Sequence, residues 1–512
     1  MGFEPGGPLL FSGQDWSFET LQRIYGAVER IAHDELGLDT YPNQVEVITS
    51  EQMLDAYAST GMPLFYKHWS FGKQFLRNET LYRKGWQGLA YEIVINSSPC
   101  IVYIMEENSA TMQTLVLAHA AFGHNHFFKN NHTFRQWTDA SAILDYLAFA
   151  KKYVTACEDR YGADAVERLL DSAHALMNNG IHRYPGKHAP DLLSEERREQ
   201  ERRAHDERLY NDLWRTLPKK RSKSAERPEE DRRRALLGLP EENILYFLEK
   251  TAPRLQGWQR ELIRIVRQIA QYFYPQRQTK VMNEGCATFV HYKIMGRLHE
   301  TGRITDGAYL EFLHSHTNVV TQPDYDDPRY SGINPYALGF SMMQEIERVC
   351  LSESSEDKAA HPDIAGCGDP YGVLKDAWAN YRDESFVMQF LSPRLIRKHR
   401  LFRLVDDQEE DEVLVASIHD ERGYRDVRRS LSRHFDVSRQ DPDIQVVDVD
   451  LAGDRRLLVR HNVVDGVTLD AGDAQRVLRH LADLWGYSVR LVEADERATY
   501  ATHDAEPSQA FR

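Results

Sequence analysis

Three histidines, His119, His124 and His126, fall within eight positions of one stretch, LAHAAFGHNHFFKNN (117–131). A second stretch, VMNEGCATFVHY (281–292), adds Glu284 and His291. Neutral imidazole and carboxylate are the usual ligands of a catalytic zinc, whose open position takes water. Such a set could hold one ion, with Glu284 as a ligand or as the general base for an attacking water. The competing reading is structural, with some of these histidines bonded to backbone carbonyls inside the core.

Helical geometry tests the idea. Residues seven apart lie about 20° apart around a helix and ~10.5 Å apart along it. His119 and His126 therefore share a face, as do Glu284 and His291, but that rise is long for two side chains to meet on one ion. His119 and His124 are ~7.5 Å apart along the axis yet point about 140° apart in a regular helix. A π-bulge at Gly123 would bring them together, and such bulges often mark functional sites. The compact H-E-x-x-H pattern is absent. Cys286 reads as a buried, inert thiol. His314 and His316 point to opposite sides of a helix and could not both face one ion. Asp383 and Glu384 read as a helix start or an acid/base pair. The basic run SPRLIRKHRLFR, with Arg394, Arg397, Lys398 and Arg400, could grip a phosphate or an acidic partner, or form the solvated face of a hinge helix.

These residues need elements to position them. LAYEIVINSSPCIVYIM (89–105) predicts two apolar, β-branched strands around an NSSP turn. Asn108 or Ser109 then starts the helix carrying the three histidines. Helical patterns fill 138–162, 164–180, 241–300 with an interruption at YPQR (274–277), and 305–316. Residues 194–236 are highly charged, of mixed sign and poor in core residues, which predicts a solvated, mobile segment. Beyond 404 the order is strand 412–418, helix 424–435, strands 444–450 and 455–461, helix 471–485 and strand 488–494. That β-α-β-β-α-β order is ferredoxin-like. The expected fold is α+β: a large, mostly helical main domain over 1–404 with a small strand pair, a ferredoxin-like domain over 405–495, and a disordered tail over 496–512.

With 42% apolar and 28% charged residues the composition is that of a globular protein, and 512 residues suffice for more than one domain. The net charge of −15 argues against a general binder of nucleic acid or anionic membrane. No apolar run is long enough to span a bilayer. The start, MGFEPGGPLLFSGQDW, lacks the basic and apolar regions of a secretion signal. Five scattered cysteines with no C-x-x-C pair fit a reduced cytoplasm.

The segments YKHWSFGK, GHNHFFKNN, RQWTDAS, PQRQTKVMNEG, INPYALGF, DESFVMQFLSP and IHDERGY, in this order, resemble the SpoVR family, the stage V sporulation protein R family. The resemblance runs from about residue 15 to 495. It implies a role in forming the spore cortex, a peptidoglycan layer, or in stationary-phase and stress physiology where the bacterium does not sporulate. It also implies partners: a serine protein kinase of the PrkA type and a von Willebrand-A-like protein, whose genes often neighbour those of the family. The family pattern matches His119, His124, Asn125, Glu284 and His291. His126 falls at a variable position, and Cys286 stands where the family usually carries Trp, which changes the packing beside Glu284. The order of strands, histidine helix and a second helix with N-E-G also resembles zinc-dependent peptidases, a likeness at the level of fold.

Two functions are compatible with these residues. One is a cytoplasmic metal-dependent hydrolase of an amide or peptide bond, with zinc on His119, His124 and His291 and with Glu284 as fourth ligand or general base. The other is a non-enzymatic regulator or scaffold working with the kinase system, with any metal structural. Iron or manganese, which His and Glu also bind, would open a third route, redox or oxygen chemistry.

Overall fold

The computed structural model describes residues 7–58, 66, 68–69, 92–183, 237–324, 327, 330–352, 354–405, 414–417, 419–451 and 453–508. The charged segment 194–236 and most of YKHWSFGK lie outside the described residues. The fold is α+β. The chain divides into two compact units, Met1–Lys152 with Pro275–Val437, and Tyr153–Tyr274 with Ser438–Arg512. Among the described residues no helix is long and apolar enough to cross a membrane.

In the first unit, β1 (Asn43–Ile48), β2 (Glu92–Ile95) and β3 (Cys100–Met105) form a mixed sheet in the order β1-β3-β2. β3, the run CIVYIM, is buried at every position, as a central strand should be. β2 pairs with it antiparallel, as the NSSP turn predicts, and β1 pairs with it parallel. β1 is an addition to the expected strand pair. Its Gln44 and Glu46 give it a polar face that hides it among loop residues. The Ser109 hydroxyl then accepts from the Met112 amide and starts the histidine helix. The helix Lys280–Glu300 packs between that helix and the helix Pro335–Cys350. The expected interruption at 274–277 falls later. The helix Gly257–Gln278 runs through Pro275, and the next helix begins at Lys280.

The C-terminal topology corrects the ferredoxin-like expectation. Among the described residues, β4 (Arg403–Val405) and β5 (Leu414–Ser417) pair only with each other, in the first unit. The helix Glu421–Phe435 buries Val427 and Leu431 in the same unit's core, and its Ser432 hydroxyl donates to the Glu384 carbonyl. The first strand and helix of the supposed βαββαβ unit are thus spent elsewhere. The second unit instead has a sheet in sequential order, β6 (Ile444–Val449), β7 (Leu457–Asn462), β8 (Val489–Ala494) and β9 (Thr499–Ala505). The helix Ala471–Trp485 connects the parallel pair β7 and β8. A break near 437 therefore replaces the boundary expected at 405. Residues 499–505, expected in a disordered tail, form β9, an exposed edge strand antiparallel to β8.

A buried carboxylate ties these strands together. Glu493 on β8 lies 3.0 Å from His461 Nδ1 on β7 and 2.9 Å from His503 Nε2 on β9, and accepts from the Leu469 amide at 2.8 Å. Burial would raise its carboxyl, but the Leu469 amide, His503 and His461 outweigh it and hold the group below its ordinary value. Removing one partner of a buried pair typically costs about 3–5 kcal/mol. Glu493→Ala is expected to destabilise the second unit by an amount near that range in thermal melts at neutral pH. A depressed carboxylate contributes stability above its unfolded pKa, about 4.3, and loses it as pH falls through the folded value. The gap between wild type and variant should therefore close in acid.

Candidate metal centre

The histidine helix changes pitch where the chemistry sits. Ala110–Val116 is α-helical, Leu117–His124 is a π-helix and Asn125–Asn130 is α-helical again. The wider i→i+5 turn brings residues five apart toward one face, so the 140° divergence of a regular helix is narrowed. The rings of His119 and His124 lie 4.6 Å apart, edge to face. Gly123 is required beside them for a different reason. A Cβ there would lie 2.5 Å from the Ala287 Cα, so only glycine lets this helix approach the helix Lys280–Glu300 so closely.

That approach delivers Glu284. Its Oε2 lies 3.6 Å from His124 Nε2 and 3.8 Å from His119 Nε2. The Glu92 Oε1, from the start of β2, lies 3.8 Å from the same His119 nitrogen. One ligand atom each from His119, His124 and Glu284 falls within a 4.8 Å cluster. A tetrahedral ion with bonds of about 2.1 Å holds its ligand atoms about 3.4 Å apart. The donor set and spacing therefore fit a divalent transition metal. The Glu284 Oε2 is buried with no hydrogen-bond partner among the described residues, a cost that an ion would relieve.

The surrounding bonds leave the correct nitrogens facing inward. His124 Nδ1 lies 2.9 Å from the Asn283 Oδ1, which can only accept from it, so His124 Nε2 keeps its lone pair. His119 Nδ1 lies 2.9 Å from His291 Nδ1, and His291 Nε2 lies 2.9 Å from His316 Nδ1. His291, expected as a ligand, here has both ring nitrogens engaged by these histidines and is not one of the three residues of the cluster. It stands behind His119, as the ~10.5 Å rise from Glu284 implies.

Charge is arranged around the same atoms. Burial opposes ionisation of Glu284, but His124, His119 and the Tyr336 hydroxyl hold its carboxyl below its ordinary value. Burial pushes the Glu92 carboxyl up against the pull of His119. Burial also opposes charge on His119, yet Glu284 and Glu92 raise its pKa. His124 and His316 are each pushed down to about 4 by burial, and His291 well below its ordinary value.

The other candidates fall away from the cluster. His126 Nδ1 accepts from the Asp39 amide at 3.0 Å, its ring packing on Trp378. Asn125 binds Tyr41 and Asn43, fixing the helix to the start of β1. Cys286 is a buried thiol raised by burial. His316 joins the histidine chain while His314 sits exposed beside Asn318, the divergence that helical spacing predicts. Asp383 accepts from the Val281 and Met282 amides at 2.8 and 2.9 Å, capping the helix that carries Glu284, and burial pushes its carboxyl up to about 8. Glu384 pairs with Arg382. The basic run is matched within the fold: Arg394 by Glu345, Arg397 by Glu356, Lys398 by Ser341 and Arg400 by Asp324. Glu92 and His316 were not foreseen as parts of the site. A carboxylate opening an otherwise apolar strand was the only available signal for Glu92.

The sequence matches the family model described as SpoVR like protein over residues 15–440, and that described as SpoVR-like C-terminal domain over 442–496. The chain belongs to the SpoVR family. It is 53% identical over 487 residues, 95% of this chain and 94% of the relative, to "Uncharacterized protein YcgB" of Escherichia coli (strain K12). No solved structure matches it. The join between the two SpoVR models, at 440–442, falls beside the break between the two units at Val437.

Proposed function

We propose that this SpoVR-family protein is a metal-dependent hydrolase of an amide or peptide bond, with His119, His124 and Glu284 holding the ion. The observation that carries this reading is the buried Glu284 Oε2, without a hydrogen bond among the described residues, facing two imidazole nitrogens at 3.6 and 3.8 Å. Two imidazoles and one carboxylate are the donor set of catalytic zinc in peptidases. Iron and manganese accept the same donors, so zinc is the first metal to test. When bound, the ion would supply Lewis-acid polarisation of a carbonyl oxygen.

The chain's own residues supply positioning and proton transfer. Glu92, its carboxyl raised by burial, is suited to take a proton from an entering water and return it to the leaving amine. Tyr336 orients Glu284, and His291 with His316 orients His119. Amide cleavage accords with the family's link to spore cortex, because peptidoglycan is cross-linked through peptides. A PrkA-type serine protein kinase and a von Willebrand-A-like protein are the proposed partners. The strand-rich unit, whose described residues contribute nothing to the cluster, is the proposed surface for them.

Metal-loaded protein is expected to release new amino termini from peptide or muropeptide libraries. Glu92→Gln should retain the ion and lose about 10²–10⁴-fold in rate. Metal-loaded protein that cleaves no amide, but captures the kinase equally well with and without His119→Ala, would replace this reading with that of a regulator.

A further inference from the structure

Away from the metal cluster, two cysteines distant in sequence are brought together. Cys350 ends the helix Pro335–Cys350 and is fully buried, while Cys367 is exposed. The chain leaves this helix, makes the short helix Ser355–Ala360 and returns at 366–368. On its return the Gly366 amide donates to the Val349 carbonyl at 3.1 Å, and the Gly368 amide to the Cys350 carbonyl at 2.9 Å. These two bonds flank Cys367 and lay its backbone alongside that of Cys350.

Described residues of the excursion are tied back to the helix. Gly366 and Gly368 have φ of +73° and +75°, which glycine adopts without strain. Asp357 accepts from the Ser354 hydroxyl at 2.7 Å and pairs with Arg348 at 2.6 Å, tying the departing chain back to the helix. Two cysteines held side by side by flanking backbone bonds, one buried and one reachable from solvent, are placed to form a reversible disulfide.

We propose that Cys350 and Cys367 are a dithiol modification site that a low-molecular-weight disulfide of the glutathione type oxidises to an intramolecular disulfide. The Cys367 thiol gives up its proton and its sulfur attacks one sulfur of the small disulfide. That S–S bond breaks, one small thiolate leaves and takes up a proton, and a mixed disulfide remains on Cys367. Cys350 then loses its proton, attacks the Cys367 sulfur and expels the second small thiol. Two protein thiols are oxidised by two electrons, and one small disulfide is reduced to two thiols. Attack begins at Cys367 because Cys350 is buried, and burial together with Cys367 pushes the Cys350 thiol up to about 12.

The test incubates the full chain in glutathione buffers of increasing oxidation, traps free thiols with an alkylating reagent and maps peptides by mass spectrometry. The expected product is a Cys350–Cys367 crosslink, lost on reduction with dithiothreitol, while Cys100, Cys157 and Cys286 stay reduced. Cys350→Ser should accumulate a stable glutathione adduct on Cys367. Cys367→Ser, a change at the surface that leaves the buried thiol in place, should take up no glutathione at all. The proposal is overturned if wild type carries a persistent glutathione adduct on Cys367 without the crosslink. It is equally overturned if both thiols remain free in fully oxidised glutathione, or if Cys350 in Cys367→Ser is modified as fast as Cys367 in wild type.

Discussion

Protein purified without chelator is expected to carry about one equivalent of a transition metal. His119→Ala, His124→Ala and Glu284→Ala should each abolish it. His291→Ala should keep the stoichiometry and weaken affinity by about 10–100-fold. The division follows from which atoms face inward. His119 Nε2, His124 Nε2 and Glu284 Oε2 converge, so each variant removes a donor. His291 only holds the His119 ring through its Nδ1, so its loss frees the ring to rotate without removing a ligand. Asn283→Ala should resemble His291→Ala, since Asn283 fixes His124 from the far side in the same way. Affinity should also fall with pH. Glu284 and Glu92 raise the proton affinity of His119, so protons displace the ion there first, whereas burial already keeps His124 neutral at ordinary pH. Mass spectrometry of metal content and competition with a chromophoric chelator measure these effects, with circular dichroism to show that each variant folds. A folded wild type without metal, or a His291→Ala that loses it as completely as His119→Ala, would reduce the cluster to a hydrogen-bonded core.

The sequence carried the chemistry of this cluster more clearly than its geometry. Helical spacing alone set His119 and His124 on diverging faces, with a π-bulge as the one escape, and the π-helix Leu117–His124 is that escape. No periodicity could reveal it, nor the close approach of Gly123 to Ala287, a contact across 164 positions of sequence. Glu284 and His291 were legible as sharing one face but not as having different tasks, which are decided by the depth at which the histidine helix crosses. Glu92 and His316 arrive from a strand and a third helix, so sequence spacing says nothing of them. Asp383 was legible as a helix start. That its carboxylate also caps the helix carrying Glu284, about 100 residues earlier, is a tertiary fact. The same limit explains the C-terminal region. The strands and helices expected there were visible from their own periods, but strand pairing was not, since Leu414–Ser417 is too short to choose a partner by pattern alone. β9 escaped notice because an exposed edge strand with one buried end looks like tail.

Gly339→Ala and Gly296→Ala, two identical changes in neighbouring helices, should move stability in opposite directions. A Cβ at Gly339 would lie 2.2 Å from the Val281 carbonyl oxygen and 2.8 Å from the Gly285 Cα. These are backbone atoms, so no side chain can rotate away and the two helices must separate. Overpacking of this kind costs about 1–3 kcal/mol and occasionally more. The gain in helix propensity returns about 1 kcal/mol, and a net loss of up to about 2 kcal/mol is expected. At Gly296 the nearest atom to a new Cβ is the Tyr309 hydroxyl at 4.0 Å, so the propensity gain of about 0.5–1 kcal/mol should appear almost undiminished. Thermal melts should place Gly339→Ala several degrees below wild type and Gly296→Ala slightly above it. The first change should also reach the metal centre. Val281 lies one helical turn before Glu284 and Gly285, so pushing the helix off Gly339 shifts the carboxylate relative to His119 and His124. Metal affinity should therefore fall with stability in Gly339→Ala and stay at the wild-type value in Gly296→Ala. Equal melting temperatures in the two variants would mean that the helices have room to part, and the close approach could not then be what sets the position of Glu284.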